Sequence, residues 1–279
     1  MAELPSTAVR SSTAAIGRHP PRGRLTLALL AGLIAVVLVS IGIGAVPIPF
    51  TSIGASLAAW VGVPVAVDET IQAIVLQIRL PRIVLAVITG MALAAAGTVF
   101  QGLFRNPMAD PYIVGVSGGA ALGATTAIVL GVTFSIAGLS AVTLLAFCGA
   151  LLVTLLVYRL AWFRQDVVPE HLLLAGVAVG AFLAAVISAL QFASSGNIQQ
   201  VVFWLMGGFS GRTWEHVWLA LPYFIGGYAV ARYFARDLNL LLLGDETARS
   251  LGVPAVSARR WLVAAGSLMA ASAVAVSGL

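Results

Sequence analysis

The chain has 279 residues, of which 60% are apolar and 9% charged, against roughly 45–50% and 25% in soluble domains. With a mean hydropathy of +1.04, this excludes an ordinary soluble enzyme and describes a chain that crosses a membrane several times. The net charge of +5 is carried by arginine alone; scattered among apolar runs, these arginines argue against a nucleic-acid partner and for loops retained in the cytoplasm.

Residues 1–24 hold four arginines among Ser, Thr, Pro and Gly and are expected to be a disordered cytoplasmic tail. Residues 25–46 form the first uncharged run, too long for a secretory signal core of about 7–15 residues. A looser stretch follows to Gln77, in which residues 53–61 predict a short interfacial helix anchored by Trp60. Further spans are expected at 83–104, 112–132, 134–158, 172–193, 214–230 and 261–279, giving an all-α transmembrane bundle. The stretch 194–216 is polar at both ends and apolar from Val201 to Met206, which predicts a short helix dipping back toward the membrane and ended by Gly207 and Gly208. With the amino terminus inside, twelve of the fifteen arginines are cytoplasmic, and Arg79, Arg82 and Arg212 are the exceptions. The last apolar run stops at Leu279 without a polar flank, which suggests a piece of a longer chain.

Several polar features interrupt these runs. Arg79 and Arg82 flank Pro81 at the outer mouth of the second span. They read either as a snorkelling pair at a helix that Pro81 opens, or as a docking point for an acidic external partner. Asn106-Pro107-Met108-Ala109 has no second copy, which argues against a water channel built from paired half-helices. Asp110-Pro111 predicts an N-cap with proline in the first turn. Gly115, Gly119 and Gly123 recur at four-residue spacing, as do Gly176 and Gly180; such spacing suits close helix packing within a subunit, or else an interface or substrate path. On the cytoplasmic side, Asp245 is expected to cap a short helix ended by Gly252 and Pro254 and to pair with Arg249, with Ala248 and Leu251 forming an apolar spot.

Some chemistry is missing. No Gly-rich phosphate loop is present, so the chain is not expected to hydrolyse nucleotide itself. Cys148 is the single cysteine and the three histidines are far apart, so no metal site, cofactor or catalytic residue is expected. Apart from Glu215 and His216 at the very start of the 214–230 run, the spans as drawn lack acidic residues, lysine and histidine, which a proton- or sodium-driven carrier usually needs near mid-membrane.

The stretch RLPRIVLAVITGMALAAAGTVFQGLFRNPMADPYIVGVSGGAALGA, then HLLLAGVAVG, QQVVFWLMGGFSG and LLLGDETARSLGV, closely resembles the FecCD-type permeases. These are the membrane subunits of ATP-binding-cassette (ABC) importers for ferric siderophores, haem and cobalamin. The resemblance covers roughly residues 25–279 and implies a type II importer permease fold of ten helices, about seven of them present here. It also implies alternating access in the cytoplasmic membrane of a bacterium, a second permease subunit, a cytoplasmic ATPase dimer and an external substrate-binding protein.

By the resemblance, Arg79 and Arg82 meet acidic residues of the binding protein. Within a coupling segment spanning 237–258, Gly244, Asp245, Glu246, Ala248, Arg249, Leu251 and Gly252 contact the ATPase. Gly176, Gly180, Gln199, Gln200, Trp204, Gly207 and Gly208 line the pathway or subunit interface. An iron chelate, ferric siderophore above all, is the expected cargo, with cobalamin or haem as alternatives. A secondary transporter and a transport-inactive fragment are the competing readings.

Overall fold

The computed structural model describes residues 22–163, 166–167, 169–194 and 196–279. The expected tail lies outside the described residues except for its last three, which open the first helix. The chain divides into two units, residues 1–50 and 51–279. In the first, α1 (Arg22–Gly42) is an apolar helix of 21 residues, long enough to cross a bilayer.

The second unit opens within α2 (Phe50–Trp60), all of which but Phe50 belongs to it; this is the short helix expected around Trp60. Asp68 then accepts hydrogen bonds from the N–H groups of Thr70 and Ile71 and opens α3 (Glu69–Ala73). Those two bonds, that from Ile71 foremost, hold its carboxyl below the ordinary aspartate value. The chain continues through a π-helical turn, Ile74–Arg79, into α4 (Leu80–Phe104). This corrects the reading of Pro81 as a helix start, since Pro81 lies inside a continuous helical run. Proline has no N–H and its ring crowds the carbonyl one turn back. The widened turn, in which the Leu80 N–H reaches the Val75 carbonyl, makes room for it.

Arg105 ends α4 in the left-handed conformation, φ 50°. Asp110 Oδ1 accepts the Tyr112 N–H at 2.8 Å, and a 3₁₀ turn, Pro111–Val114, leads through Gly115 at φ 89° into α5 (Val116–Val129). The expected span 112–132 is thus broken. The 14 residues of α5 extend about 21 Å, short of a hydrocarbon core of about 30 Å. Next come α6 (Ala141–Leu160), α7 (Pro169–Ala193), α8 (Ile198–Leu205), α9 (Trp214–Tyr233), α10 (Ala235–Leu241), α11 (Asp245–Ser250) and α12 (Ala255–Ser277). Two-residue antiparallel pairings at Ser135–Ile136 with Leu139–Ser140, and Trp162–Phe163 with Asp166–Val167, tighten the loops before α6 and α7.

The architecture is an all-α membrane bundle. Among the described residues, five helical stretches are long and apolar enough to span: Gly23–Gly42, Glu69–Phe104, Ala141–Leu160, Pro169–Ala193 and Ala255–Ser277. The other two expected spans correspond to α5, which is short, and α9, which carries Glu215, His216 and Arg232.

α12 is the centre of the second unit, packed by α4, α5, α6 and α9. Its buried face is built from small residues, among them Ala265, Gly266, Ala270, Ala271 and Ala273, which lets several helix backbones approach it closely. α5 and α6 approach closer still. A Cβ added at Gly119 or Gly123 would collide with the backbone carbonyl of Gly149 or Leu145, and one at Gly149 with that of Gly119.

Candidate coupling face and outer mouth

The residues expected to act lie at two ends of the bundle. At one end, α10, α11 and the first turn of α12 form a compact cap. Gly244, at φ 112°, and Gly252, at φ 83°, bracket α11 with backbone that only glycine adopts cheaply. The Val253 N–H donates to the Ala248 carbonyl at 3.0 Å, closing the C-terminal turn that Gly252 permits.

Two expectations are corrected here. Asp245 is the first residue of α11 and makes no capping bond; instead its carboxylate accepts from Arg105 on one oxygen and Arg259 on the other. Ala248 and Leu251 do not share a spot. Ala248 is fully buried with Leu241, Val253, Ala255 and Ala258, whereas Leu251 is exposed. The outward face of α11 is therefore Glu246, Thr247, Arg249 and Ser250, followed by Leu251 and Gly252.

Arg259 carries the electrostatic weight of this cap. Only 5% of it is exposed, because α12 starts at Ala255, six residues before the run expected at 261. A buried guanidinium needs a partner, and losing that partner costs on the order of 3–5 kcal/mol. Burial pushes the Asp245 carboxyl up, but the hydrogen bond and charge of Arg259, joined by those of Arg105, outweigh it and leave the carboxyl below its ordinary value. Arg105 also donates from Nε to the Leu241 carbonyl at 2.8 Å, which accepts the Gly244 N–H as well, at 3.2 Å. Neither Arg105 nor Arg259 was expected to act. The pairs Arg105–Asp245 and Asp245–Arg259 join positions 140 and 14 residues apart, and no local pattern announces them.

At the other end, Arg79 closes the π-helical turn and Arg82 lies in the first turn of α4. Arg82 is half-buried, and its Nε has no hydrogen-bond partner among the described residues. One turn before Arg79, the Leu76 carbonyl accepts from Trp214 Nε1 at 2.9 Å. Trp214 stacks on Trp60 with ring centroids 6.5 Å apart and lies 6.4 Å from Trp218, an aromatic grouping of the kind found at membrane interfaces.

Gln200, Trp204, Gly207 and Gly208 line a cavity of about 860 Å³ together with Arg212 and Ser277; Gln199 is not among its walls. The Gly208 N–H donates to the Ser277 carbonyl at 2.6 Å, so the exit of α8 is fastened to the end of α12. Arg212 Nη1 lies 3.3 Å from His216 Nε2. The two glycines of α7 differ: Gly176 packs so tightly that a Cβ would collide with the Ile113 carbonyl, while Gly180 has open space. Among the described residues, no group of three or more His, Cys, Asp or Glu side chains is placed to hold a metal.

Comparison with known proteins agrees with this geometry. The model of the FecCD transport family matches residues 32–279. A cobalamin import system permease protein, BtuC, of Halobacterium salinarum is 44% identical over 235 residues, covering 84% of this chain and 62% of its own length. A ferric citrate import system permease protein, YfmE, of Bacillus subtilis is 34% identical over 262 residues, 94% of this chain and 75% of that one. A solved transporter described as of the metal-chelate ABC type, in an inward-facing conformation, superposes with a TM-score of 0.76 at 30% identity, over 92% of this chain and 77% of that one. The chain thus spans less than two thirds of the length of the cobalamin permease it matches. The helical bundle, the α11 cap and a match running from residue 32 to the last residue lead to one assignment: the chain belongs to the FecCD transport family.

Proposed function

We propose that the chain is the membrane-spanning permease subunit of an ABC importer in a cytoplasmic membrane, with its amino terminus inside. Its work is alternating access without covalent chemistry, and a separate ATPase dimer supplies the energy. The observation that carries this reading is α11: a short, glycine-bracketed helix fixed through Asp245 and presenting Glu246, Thr247, Arg249 and Ser250 outward. Such an element suits a cleft on a soluble ATPase. Gly244 and Gly252 set its ends, Ala248 roots it in the cap, and Leu251 extends its exposed face.

Arg79 and Arg82 are the docking residues for acidic groups of an external binding protein, where charge chiefly sets orientation and encounter rate. Gly176, Gly180, Gln199, Gln200, Trp204, Gly207 and Gly208 border the pathway, against a second permease subunit identical to this one or paralogous. Gly115, Gly119 and Gly123 serve packing within the subunit, as the α5–α6 approach favours.

The cargo is a bulky metal chelate, and our reading is a ferric siderophore. The 44% identity with a cobalamin permease favours cobalamin as the second reading. Cells with and without the gene, given radiolabelled ferric siderophore or radiolabelled cobalamin, separate the two. Uptake should depend on the gene, fail on ATP depletion and persist when ion gradients are collapsed. Uptake that follows the ion gradient would make the protein a secondary transporter.

A further inference from the structure

We propose that Arg105 and Arg259, through Asp245, form a two-armed clamp that passes movement of α11 to α4 and α12 together. This rests on the reading of α11 as the ATPase-facing element. Three elements meet at one carboxylate, and a fourth, α10, is tied to it through Arg105. Arg105 at the end of α4 holds one oxygen of Asp245 and also the last carbonyl of α10, at 2.8 Å. Arg259, buried in the first turns of α12, holds the other oxygen. Charge-assisted bonds on both oxygens fix a carboxylate in direction as well as position.

The backbone supports the same reading. Arg105 keeps a left-handed conformation, φ 50°, that is uncommon outside glycine. In that conformation it ends α4, and its side chain reaches both Leu241 and Asp245. The packing agrees as well: α11 lies against α10 and α12, and α10 against α4 and α12. α4 and α12 are themselves packed along their length and run to the outer end, where Ser277 meets Gly208 and Leu76 meets Trp214. A push on α11 therefore has a continuous, charge-anchored route through the two central helices. Arg105 and Arg259 are positioning residues on that route.

The test is hydrogen exchange on the complex purified from native membranes, free of nucleotide and trapped with ATP and vanadate. In the wild type, trapping should change exchange in α11, at the inner end of α4 and at the first turns of α12. In Arg259→Ala the α12 response should vanish while the α4 response remains; in Arg105→Ala the reverse should hold; and Arg259→Lys should restore part of the α12 response. A residue that merely stabilised the cap would not sever one response and spare the other.

A wild type in which α11 responds to nucleotide but α4 and α12 do not overturns the clamp. If α11 itself is silent to nucleotide, the ATPase-coupling reading falls, and the clamp is judged on nucleotide-free rates. Exchange at the Ala248 and Val253 amides faster by on the order of tenfold in Arg259→Ala then supports it, and unchanged rates overturn it.

Discussion

The indole Nε1 of Trp214 donates to the carbonyl of Leu76 at 2.9 Å, and Pro81 is the reason that carbonyl is open. In a regular helix the Leu80 N–H would take it, but that N–H reaches back to Val75. In the wider π turn the residue five on would take it, and that residue is proline. The vacancy made by a proline in one helix is filled by a side chain of another, so α9 is tied to α4 beside Arg79.

Trp214→Phe should therefore destabilise the protein by about 1–3 kcal/mol, the cost of a buried polar group left unpaired. Pro81→Ala supplies the missing N–H, so the Trp214→Phe change should cost less in that background. Thermal unfolding of the four proteins in detergent measures the coupling; additive losses would mean the two residues act separately.

Glycines that look alike in sequence should respond differently. Gly119→Ala, Gly123→Ala and Gly176→Ala each drive a Cβ into a neighbouring backbone carbonyl, and overpacking of this kind costs roughly 1–3 kcal/mol. Gly180 faces open space, so Gly180→Ala should leave stability unchanged or raise it by up to about 1 kcal/mol. Loss of uptake in a fully folded Gly180→Ala protein would place that residue on the pathway.

Asp245 and Arg249 should separate cleanly. Asp245→Ala removes a charged partner of the buried Arg259 and should cost up to about 3–5 kcal/mol. Arg249→Ala changes an exposed side chain, so its effect on stability should stay within about 1 kcal/mol, the worth of an exposed polar contact, while its effect on ATP-driven uptake is large. Alanine at both positions would mix a folding defect with an uncoupling defect.

The Asp245 carboxyl titrates lower in the folded protein than in the unfolded chain. Its contribution is thus fully present above the unfolded value of about 3.9 and is lost as pH falls through the lower folded value. Stability measured from pH 6 downward should show this loss only below about pH 4, and Asp245→Asn should remove that part of the pH dependence.

On the proposed function, Arg79→Ala and Arg82→Ala should slow association of an external binding protein, with an effect that shrinks as salt is raised. Association rates over a salt series are the measurement. A loss independent of salt would assign the residues to packing instead.

What could be read beforehand follows from the range of the forces involved. Five of the seven expected spans, the Asp110-Pro111 turn and the glycine-bracketed α11 are encoded within a few residues and appear close to where expected, although α6 begins only at Ala141 and α12 already at Ala255. The start of α4 does not, because Pro81 signals an opening only if the turn before it stays regular; the π turn lets the helix pass through. The span beginning at Tyr112 is interrupted because Gly115 takes a positive φ, which a count of apolar residues cannot register. Arg259 reads as one more cytoplasmic arginine until the fold buries it against Asp245. The Leu76–Trp214 bond likewise joins residues 138 positions apart.

The most direct measurement of the permease assignment is purification of the tagged chain in mild detergent from its native membranes, with its companions identified by mass spectrometry. An ABC ATPase should accompany the wild-type chain and be lost from a Glu246→Arg/Arg249→Glu variant whose thermal stability is unchanged. A wild-type chain that emerges without any ATPase would contradict the assignment.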